Sequence, residues 1–237
     1  MDDHTLAATL AEEAGELLLE IRELGGSVGD RRSNSFLLER LARERPADAV
    51  LSEESPDDGA RTRRSRVWIV DPLDGTREYG EPGRVDWAVH VALAVDGEAA
   101  VGAVALPAQG LVLHTGRPPV LPPPPPPGTV RVALSRSRPS FAVRRLVARL
   151  SATEVPMGSA GAKAMAVVRG IADIYAHSGG QYEWDSCAPV AVAAAAGLHV
   201  SRLDGSPLRY NRPDPYLPDL LICRPELAEL ALKALSE

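Results

Sequence analysis

A run of six consecutive prolines, Pro122–Pro127, constrains the fold of this chain more than any other stretch. Proline lacks a backbone donor and fixes its φ angle, so the segment from Arg117 to Gly128 excludes a helix or a central strand. We expect it to separate an N-terminal lobe of residues 1–128 from a C-terminal lobe of residues 129–237. A docking site for a proline-reading domain is the alternative interpretation of the same segment.

The two lobes differ in hydrophobic pattern. In the first, residues 5–24 predict an amphipathic helix, and a second helix is expected to begin after Asp30. A strand is expected over residues 67–70, and the alternating run over residues 87–116 predicts an antiparallel meander. In the second lobe, segments typical of strands and helices alternate, and residues 199–210 predict a hairpin-like pair. We therefore expect an α+β lobe with an antiparallel sheet, followed by an α/β lobe.

Composition narrows the functional classes. A formal net charge of −6 at pH 7 lacks the basic surface that nucleic acid requires, so no nucleic-acid partner is expected. No apolar run approaches the roughly 18 to 20 residues that span a bilayer, so no membrane association is expected. Two cysteines are too few for a disulfide framework, and the acidic N-terminus is unlike a signal peptide. These features predict a cytoplasmic protein.

The stretch VWIVDPLDGTREY, residues 67–79, places two carboxylates at the end of a predicted buried strand. Strand ends in α/β layers are where such folds bind ligands, and the intervening proline turn would let Asp71 and Asp74 face the same way. Two carboxylates held this close favour a bound cation, and their hard oxygen atoms favour Mg²⁺. Gly75 and Thr76 then begin a predicted helix, whose backbone amides attract a phosphate oxygen.

Two further acidic sites follow apolar segments. The stretch VLSEES carries Glu53 and Glu54 after a predicted strand, and YEWDSCAP carries Asp185 at a predicted helix start. Alone, a glutamate pair of this kind is usually solvated surface, and an aspartate at a helix start is usually an N-cap. It is their combination with the DPLDGT turn that indicates a metal site.

The motifs LSEES, DPLDGT, GSAGAK and WDSCAP, in this order, resemble those of the inositol monophosphatase superfamily of Mg²⁺-dependent, lithium-sensitive phosphatases. The similarity spans nearly the whole chain. DGTREY and DRRSNSFLLERL look most like the CysQ-type branch, which hydrolyses 3'-phosphoadenosine 5'-phosphate. The resemblance implies a layered αβαβα sugar-phosphatase fold of two lobes, and hydrolysis by two-metal activation of water without a covalent intermediate.

The resemblance also implies roles by position. The metal ligands that it implies are Glu53, Asp71, Asp74, Asp185 and the carbonyl of Leu73. The family pattern uses the first glutamate of the pair, hence Glu53 rather than Glu54. The site would bind two or three Mg²⁺ ions, and Asp71 would bridge two of them. Li⁺ would inhibit the phosphatase activity. Asp30 and Thr76 would together orient the attacking water.

Substrate contacts are expected on both sides of this turn. The residues expected to hold phosphate oxygens or the rest of the substrate are Gly75, Thr76, Arg77, Gly158, Ser159, Lys163 and His177. Arg77 would contact the second phosphate of a bisphosphorylated nucleotide. The alternative for Lys163 is an ordinary solvent-facing helix residue, and the alternative for His177 is a structural histidine at a strand end. His90 is expected to be a satisfied histidine within the sheet.

The resulting expectation is a 3'(2'),5'-bisphosphate nucleotidase that acts on a small phosphorylated substrate, with a homodimer as the possible assembly. Inositol 1-phosphate or fructose 1,6-bisphosphate is the alternative substrate. A phosphatase with an aspartyl nucleophile is disfavoured, because its two aspartates lie two residues apart, whereas Asp71 and Asp74 are three apart. A noncatalytic domain that binds divalent cations is the remaining alternative, although the calcium-loop spacing is absent.

Overall fold

The computed structural model describes residues 1–126 and 128–236. Pro127, in the proline-rich segment, and Glu237, at the end of the expected second lobe, lie outside the described residues. The helices of the described part are α1 (Asp3–Glu20), α2 (Gly26–Glu44), α3 (Thr76–Gly80), α4 (Phe141–Leu150), α5 (Ala160–Val168), α6 (Glu183–Ala195) and α7 (Ala228–Ser236). Within these ranges, no helix combines the length and the apolar character that crossing a bilayer requires.

In the described part of the chain, the strands form two five-stranded sheets. The strands of the first sheet are β1 (Ala49–Ser52), β2 (Arg66–Asp74), β3 (Ala88–Val95), β4 (Glu98–Leu106) and β5 (Leu111–His114), in this spatial order. Those of the second sheet are β6 (Arg131–Ser135), β7 (Thr153–Met157), β8 (Ile174–Tyr182), β9 (His199–Ser201) and β10 (Tyr216–Cys223), in the order β7-β6-β8-β10-β9. The antiparallel meander predicted over residues 87–116 is confirmed as β3, β4 and β5.

Five layers follow from the alternation of side chains along the strands. In β2, Trp68 and Val70 face α1 and α2, whereas Val67 and Ile69 face α5 and α6 on the opposite side. The second sheet covers the other side of α5 and α6, and α4 and α7 pack on its outer face. The expected layered αβαβα fold is therefore confirmed. The proline-rich segment joins β5 to β6, but the helices of the middle layer pack against both sheets.

Small side chains make the middle layer possible. All 9 residues of α5 are buried, and α6 buries a run of alanines and valines. Where α6 crosses β4, a Cβ added to Gly102 would lie 2.7 Å from the carbonyl oxygen of Ala188 and 2.7 Å from the Cβ of Ala191. Helix and sheet therefore approach too closely for any side chain at this position.

The second helix begins earlier than expected. α2 starts at Gly26 rather than after Asp30, since the preceding Gly25 adopts a positive φ of 86° that separates α2 from the turn before it. A Cβ on Gly26 would lie 2.4 Å from the Thr76 methyl carbon, so the start of α2 packs directly on the DPLDGT turn. As a result Asp30 lies within α2, is 8% exposed, and faces Thr76.

Two strand predictions were also wrong in part. β2 does not end at Val70 but continues through Asp74, with an irregularity in its pairing with β3 between Asp71 and Asp74. Residues 199–210 do not form a hairpin-like pair, because β9 pairs instead with β10, which lies beyond a long loop. The polar and turn-forming residues of that loop resemble a hairpin turn, but tertiary packing decides the partner of a short strand.

A buried arginine joins the two halves of the chain. Arg61 is 3% exposed, and its guanidinium donates to the side-chain oxygen of Asn211 and to the carbonyl of Arg212, both at 2.9 Å. The Glu183 carboxylate, at the start of α6, accepts from the backbone N–H groups of Asn211 at 2.7 Å and Arg212 at 2.8 Å. The loop before β10 is therefore held between the first lobe and α6.

We expect Gly102→Ala to lower the free energy of unfolding by about 1–3 kcal/mol, because the new methyl group must displace the α6 backbone. Gly80→Ala is the matched control, since a Cβ at Gly80 meets nothing within 4 Å. Urea unfolding of both variants measures the difference. Equal stability of Gly102→Ala and the wild type would contradict the close approach of α6 and β4.

Candidate functional site

Three aspartates converge where the end of β2 meets the start of α6. One carboxylate oxygen from each of Asp71, Asp74 and Asp185 lies within 4.8 Å of the other two. The irregular end of β2 allows the first two to face the same way, and α6 brings the third from more than 100 residues further along the chain. The predicted meeting of the DPLDGT turn and the WDSCAP helix is thus observed.

Asp71 is the most enclosed of the three, with 1% of its surface exposed. Its Oδ1 accepts a hydrogen bond from the Leu73 backbone N–H at 3.0 Å. The Ser33 hydroxyl, on α2, donates to the Pro72 carbonyl at 2.8 Å and holds the turn in place. Burial, together with the charge of Asp74, raises the pKa of Asp71 well above its ordinary value. Ionisation of Asp71 therefore needs positive charge from another source.

Asp74, in contrast, is surrounded by donors from the start of α5. Its Oδ2 accepts from the Ser159 hydroxyl at 2.5 Å and from the Gly161 N–H at 2.6 Å, and its Oδ1 accepts from the Ala160 N–H at 3.1 Å. Burial alone would raise the pKa of Asp74, but the charge of His90 and the bond from Ser159 outweigh it and lower the pKa to about 2. Asp74 is therefore ionised at neutral pH.

Asp185 and Glu53 complete the acidic cluster. Asp185 Oδ2 accepts from the Tyr182 backbone N–H at 2.7 Å at the start of α6, and burial with the charge of Asp74 raises its pKa to about 6. The Glu53 side chain is exposed on the loop after β1. Its carboxylate is outside the group of three aspartates, yet desolvation and the charges of Asp185 and Asp74 raise its pKa to about 7. The Glu53 carboxylate is therefore close enough for the charges of the cluster to affect its pKa.

The expected hydroxyl and carboxylate pair lies beside the cluster. Thr76 Oγ1 is 3.3 Å from Asp30 Oδ2 and 3.2 Å from the carbonyl oxygen of Leu73, and either oxygen can accept its proton. Burial, with the charge of Glu54, raises the pKa of Asp30 to about 6. The structure therefore brings the two predicted water-orienting residues into contact although they lie 46 positions apart.

The expected phosphate cradle is only partly open. Gly75, with a φ of 88°, precedes α3, and a Cβ there would lie 3.0 Å from the Ser159 Cβ. The Gly158 N–H donates to Asp86 Oδ2 at 2.7 Å, and the Ser159 N–H donates to the Asp86 carbonyl at 3.3 Å. Gly158 and Ser159 thus line the site with their backbone donors already engaged. The amides of Gly75 and Thr76, at the start of a helix, lack a carbonyl from a preceding turn.

Lys163 does not face solvent. It is 4% exposed, and its ammonium donates to the carbonyls of Gly158 and, at 2.8 Å, Ser159. The ammonium also lies 5.4 Å from the centroid of the Tyr175 ring, within cation–π range. The solvent-facing alternative for Lys163 is therefore wrong. Its charge lies within the protein, behind the loop that binds Asp74.

Arg77 and His177 lie on different sides of the site. Arg77 is exposed on α3, directly after the two open amides. His177 lies within β8, and its Nε2–H donates to the Gly179 carbonyl at 3.0 Å. Burial, with the charge of Lys163, lowers the pKa of His177 to about 4, so this imidazole is neutral at physiological pH. Both residues stay candidates for substrate contact.

His90 is a site residue that the sequence interpretation placed in the sheet alone. It pairs with Asp71 in the register of β2 and β3, and it is fully buried. Its Nδ1 lies 2.9 Å from the Trp184 carbonyl, and its Nε2 lies 3.1 Å from Asp74 Oδ2 in a contact not aligned as a hydrogen bond. The available signal was a polar residue in an apolar strand that pairs with the acid-bearing strand.

The donor set fits a divalent metal ion. The groups that converge are carboxylates with one nearby backbone carbonyl, and such hard oxygen atoms are the ligands of Mg²⁺ and Ca²⁺. Burial and the charges of neighbouring carboxylates raise the pKa values of Asp71, Asp185 and Glu53, and a bound cation would favour the ionised forms of these groups. The arrangement can hold a metal ion between a phosphate-binding turn and a hydroxyl–carboxylate pair.

Comparison with known proteins identifies the family of this chain. The model of the inositol monophosphatase family matches residues 26–237. The chain is 53% identical to a 3'-phosphoadenosine 5'-phosphate phosphatase of Mycobacterium bovis, over 95% of this chain and 90% of the relative. The chain therefore belongs to the inositol monophosphatase family, and the prediction of a phosphatase enzyme is confirmed.

Solved structures show the same fold. Inositol monophosphatase from Anabaena superposes with a TM-score of 0.81 at 24% identity, covering 98% of this chain and 94% of that one. CysQ from Bacteroides thetaiotaomicron, a bacterial member of the family, superposes with a TM-score of 0.79 at 26% identity, covering 92% of this chain and 96% of that one. The predicted resemblance to this superfamily and to its CysQ-type branch is thereby confirmed.

The acidic cluster should make the metal-free protein less stable as pH rises. Asp30 and Asp185 have folded pKa values of about 6 against an ordinary 3.8, and Glu53 has about 7 against 4.5. The unfolded chain loses these protons near pH 4, whereas the folded chain retains them to pH 6–7. Their contribution to stability is therefore complete below about pH 4 and is lost as pH rises through about 6–7.

We expect Asp185→Asn to flatten this loss of stability, because asparagine keeps an acceptor for Tyr182 but removes one titrating charge. Thermal unfolding with a chelator, between about pH 5 and pH 8, measures the slope. Mg²⁺ at about 100 times its dissociation constant should stabilise the wild type by about 2.7 kcal/mol at the higher pH, and the variant by less. The exposed Glu20→Gln is the control. Identical slopes for Asp185→Asn and the wild type would contradict the cluster.

Proposed function

We propose that this protein hydrolyses 3'-phosphoadenosine 5'-phosphate to AMP and inorganic phosphate in a Mg²⁺-dependent reaction. The observation that carries the proposal is the convergence of three aspartates beside the Thr76–Asp30 pair. A metal-binding module without a catalytic role needs the acids but has no use for a hydroxyl and a carboxylate next to them. The name of the 53% identical relative supports the choice of substrate.

The proposed ligands of Mg²⁺ are the three converging aspartates together with two groups that the family resemblance implies, Glu53 and the Leu73 carbonyl. They are Glu53, Asp71, the carbonyl of Leu73, Asp74 and Asp185. Bound Mg²⁺, as two or three ions, supplies positive charge that makes a water more acidic and neutralises the oxygen of the leaving group. Asp71, the most enclosed of the three aspartates, would be the ligand that two of these ions share.

Thr76 and Asp30 orient the attacking water in the proposed reaction. When the Thr76 hydroxyl donates to the Leu73 carbonyl or to Asp30, its own oxygen is free to accept a hydrogen bond from water. Asp30, with a pKa of about 6, is largely ionised at neutral pH and close enough in basicity to accept a proton. The pair therefore fixes the direction from which water attacks the phosphorus.

The phosphate group is bound from the opposite side by backbone donors. The amides of Gly75 and Thr76 donate to nonbridging oxygens, whose charge changes on approach to the transition state. Arg77, exposed beside them, is proposed to bind the second phosphate. Lys163 and His177 are engaged with backbone carbonyls, so direct contact with the substrate requires each to exchange that partner.

An exposed aromatic surface near Asp185 suits a substrate with a nucleobase. Tyr182 stacks on Trp184 with ring centroids 4.9 Å apart and an interplanar angle of 9°. Tyr216 meets the Tyr182 ring edge-on at 5.8 Å, and each tyrosine is 41% exposed. The partly exposed rings of Tyr182 and Tyr216 are proposed to contact the adenine ring, whereas inositol 1-phosphate offers no planar group.

Asp71→Asn should abolish Mg²⁺-dependent phosphatase activity while the protein stays folded. Loss of a metal carboxylate costs several kcal/mol in the transition state, which is a roughly thousandfold loss of kcat. Phosphate release from 3'-phosphoadenosine 5'-phosphate measures the effect, and Li⁺ should inhibit the wild type. Asp96→Asn, in the exposed turn between β3 and β4, is the control. Near-normal turnover by Asp71→Asn would refute the proposed site.

Tyr182→Ala should raise the KM for 3'-phosphoadenosine 5'-phosphate at least about fivefold, since a stacked base contributes about 1 kcal/mol or more. Hydrolysis of inositol 1-phosphate, which has no base, should not change, and Tyr182→Phe should restore the KM because it keeps the ring. The wild type should prefer the nucleotide over inositol 1-phosphate and fructose 1,6-bisphosphate. A preference for either sugar phosphate would overturn the substrate assignment but not the metal chemistry.

A further inference from the structure

We propose that His90 is a positioning residue that sets the spacing between the acids of β2 and the start of α6. The inference rests on the proposed metal-dependent function, because the spacing matters only if these acids share an ion. His90 is 0% exposed on β3, at the place where the first sheet meets the middle layer. It is itself no ligand, and it acts through the residues that it contacts.

The two ring nitrogens of His90 contact two different elements. A carbonyl oxygen can only accept, so Nδ1 carries a proton and donates to the Trp184 carbonyl at 2.9 Å. Nε2 lies 3.1 Å from Asp74 Oδ2. Trp184 immediately precedes Asp185, so one rigid imidazole spans the distance between the peptide group next to Asp185 and the carboxylate of Asp74.

The ring has no room to adopt another position. A Cβ added to Gly161 would lie 2.1 Å from His90 Nε2, so the start of α5 packs directly on the imidazole. The Gly161 N–H donates to the same Asp74 oxygen that faces His90, as does the Ser159 hydroxyl. These groups all contact Oδ2 of Asp74. Its Oδ1 accepts a single hydrogen bond, from the Ala160 N–H at 3.1 Å, and is the less occupied oxygen. The orientation of the Asp74 carboxylate is thereby fixed.

A purely structural histidine would account for burial and for the bond to Trp184. It would not account for placing the second nitrogen against the carboxylate of the acidic cluster rather than against another carbonyl. The two roles differ in what they predict for metal binding. Structural loss of His90 lowers stability alone, whereas loss of a positioning residue weakens metal binding by about 10- to 100-fold.

Two variants separate the contact of His90 with the Trp184 carbonyl from its contact with Asp74. In His90→Asn the amide nitrogen occupies about the position of Nδ1 and retains the bond to Trp184 alone. In His90→Gln the amide nitrogen reaches about the position of Nε2 and retains the contact with Asp74 alone. His199→Asn, on the half-buried histidine of β9, is the matched control.

The measurements are Mn²⁺ binding by calorimetry, unfolding temperature with and without Mg²⁺, and kcat with KM for the nucleotide. Both His90 variants should bind Mn²⁺ about 10- to 100-fold more weakly than the wild type, with kcat lowered more than KM is raised. The control should match the wild type. If either His90 variant binds Mn²⁺ like the wild type, one of the two contacts is enough for metal binding. The proposal that His90 must contact both Trp184 and Asp74 is then wrong.

A measurement on the wild type covers the case in which the variants do not fold. The ¹⁵N resonances of His90 should shift when Mg²⁺ is added, because the Asp74 carboxylate beside Nε2 would then share its charge with the ion. Unchanged His90 resonances in a protein that binds Mg²⁺ would overturn the positioning role. If the wild type binds no ion and releases no phosphate, the proposed function is wrong as well; if it does both while the variants behave like it, only the role of His90 is wrong.

Discussion

Electrostatic repulsion among buried carboxylates is the constraint on which the rest of the site depends. The protein compensates Asp74 internally, with a hydroxyl, backbone amides and an imidazole, and lowers its pKa to about 2. It leaves Asp71 and Asp185 with raised pKa values. One carboxylate is thus kept charged and oriented, while its buried neighbours favour their protonated forms unless a bound cation stabilises their charge. This asymmetry converts an unfavourable arrangement into a site for a divalent ion.

Much of the fold and most of the acids could be predicted from the sequence, because their signals are local. The uninterrupted apolar run from Val67 to Val70 indicates a strand whose two faces are both buried. Such a strand requires other elements on both sides, and here these are helices. The proline and glycine of the DPLDGT turn encode how Asp71 and Asp74 are presented. Which distant elements meet at that turn is not local information: the sequence marked Asp185 as an acid at a helix start, and only the resemblance to a known family implied that it is a ligand of the same metal site.

The sequence predicted which side chains are buried better than it predicted the groups that they contact. The solvent-facing alternative for Lys163 was wrong, because its ammonium contacts the backbone carbonyls of Gly158 and Ser159 at the start of α5, whereas its contact with substrate stays a prediction. His90 was assigned to the sheet, although it contacts a carbonyl 94 positions away. Periodicity shows that a side chain is buried but not what it meets there. The start of α2 was misplaced for a related reason, since only packing against Thr76 explains why a glycine-rich stretch is helical.

The buried Arg61 limits how the two halves of the chain can move relative to each other. The Arg61 guanidinium makes two hydrogen bonds across the two halves of the chain, to the Asn211 side chain and the Arg212 carbonyl, while Glu183 holds the backbone N–H groups of the same two residues from within the second half. Separating the halves would break both of these bonds and leave the buried guanidinium with only part of its hydrogen bonds satisfied, through Asp57 at 2.9 Å, which is costly. The two halves of the chain are therefore joined by a polar contact in addition to the apolar layer of helices between the sheets.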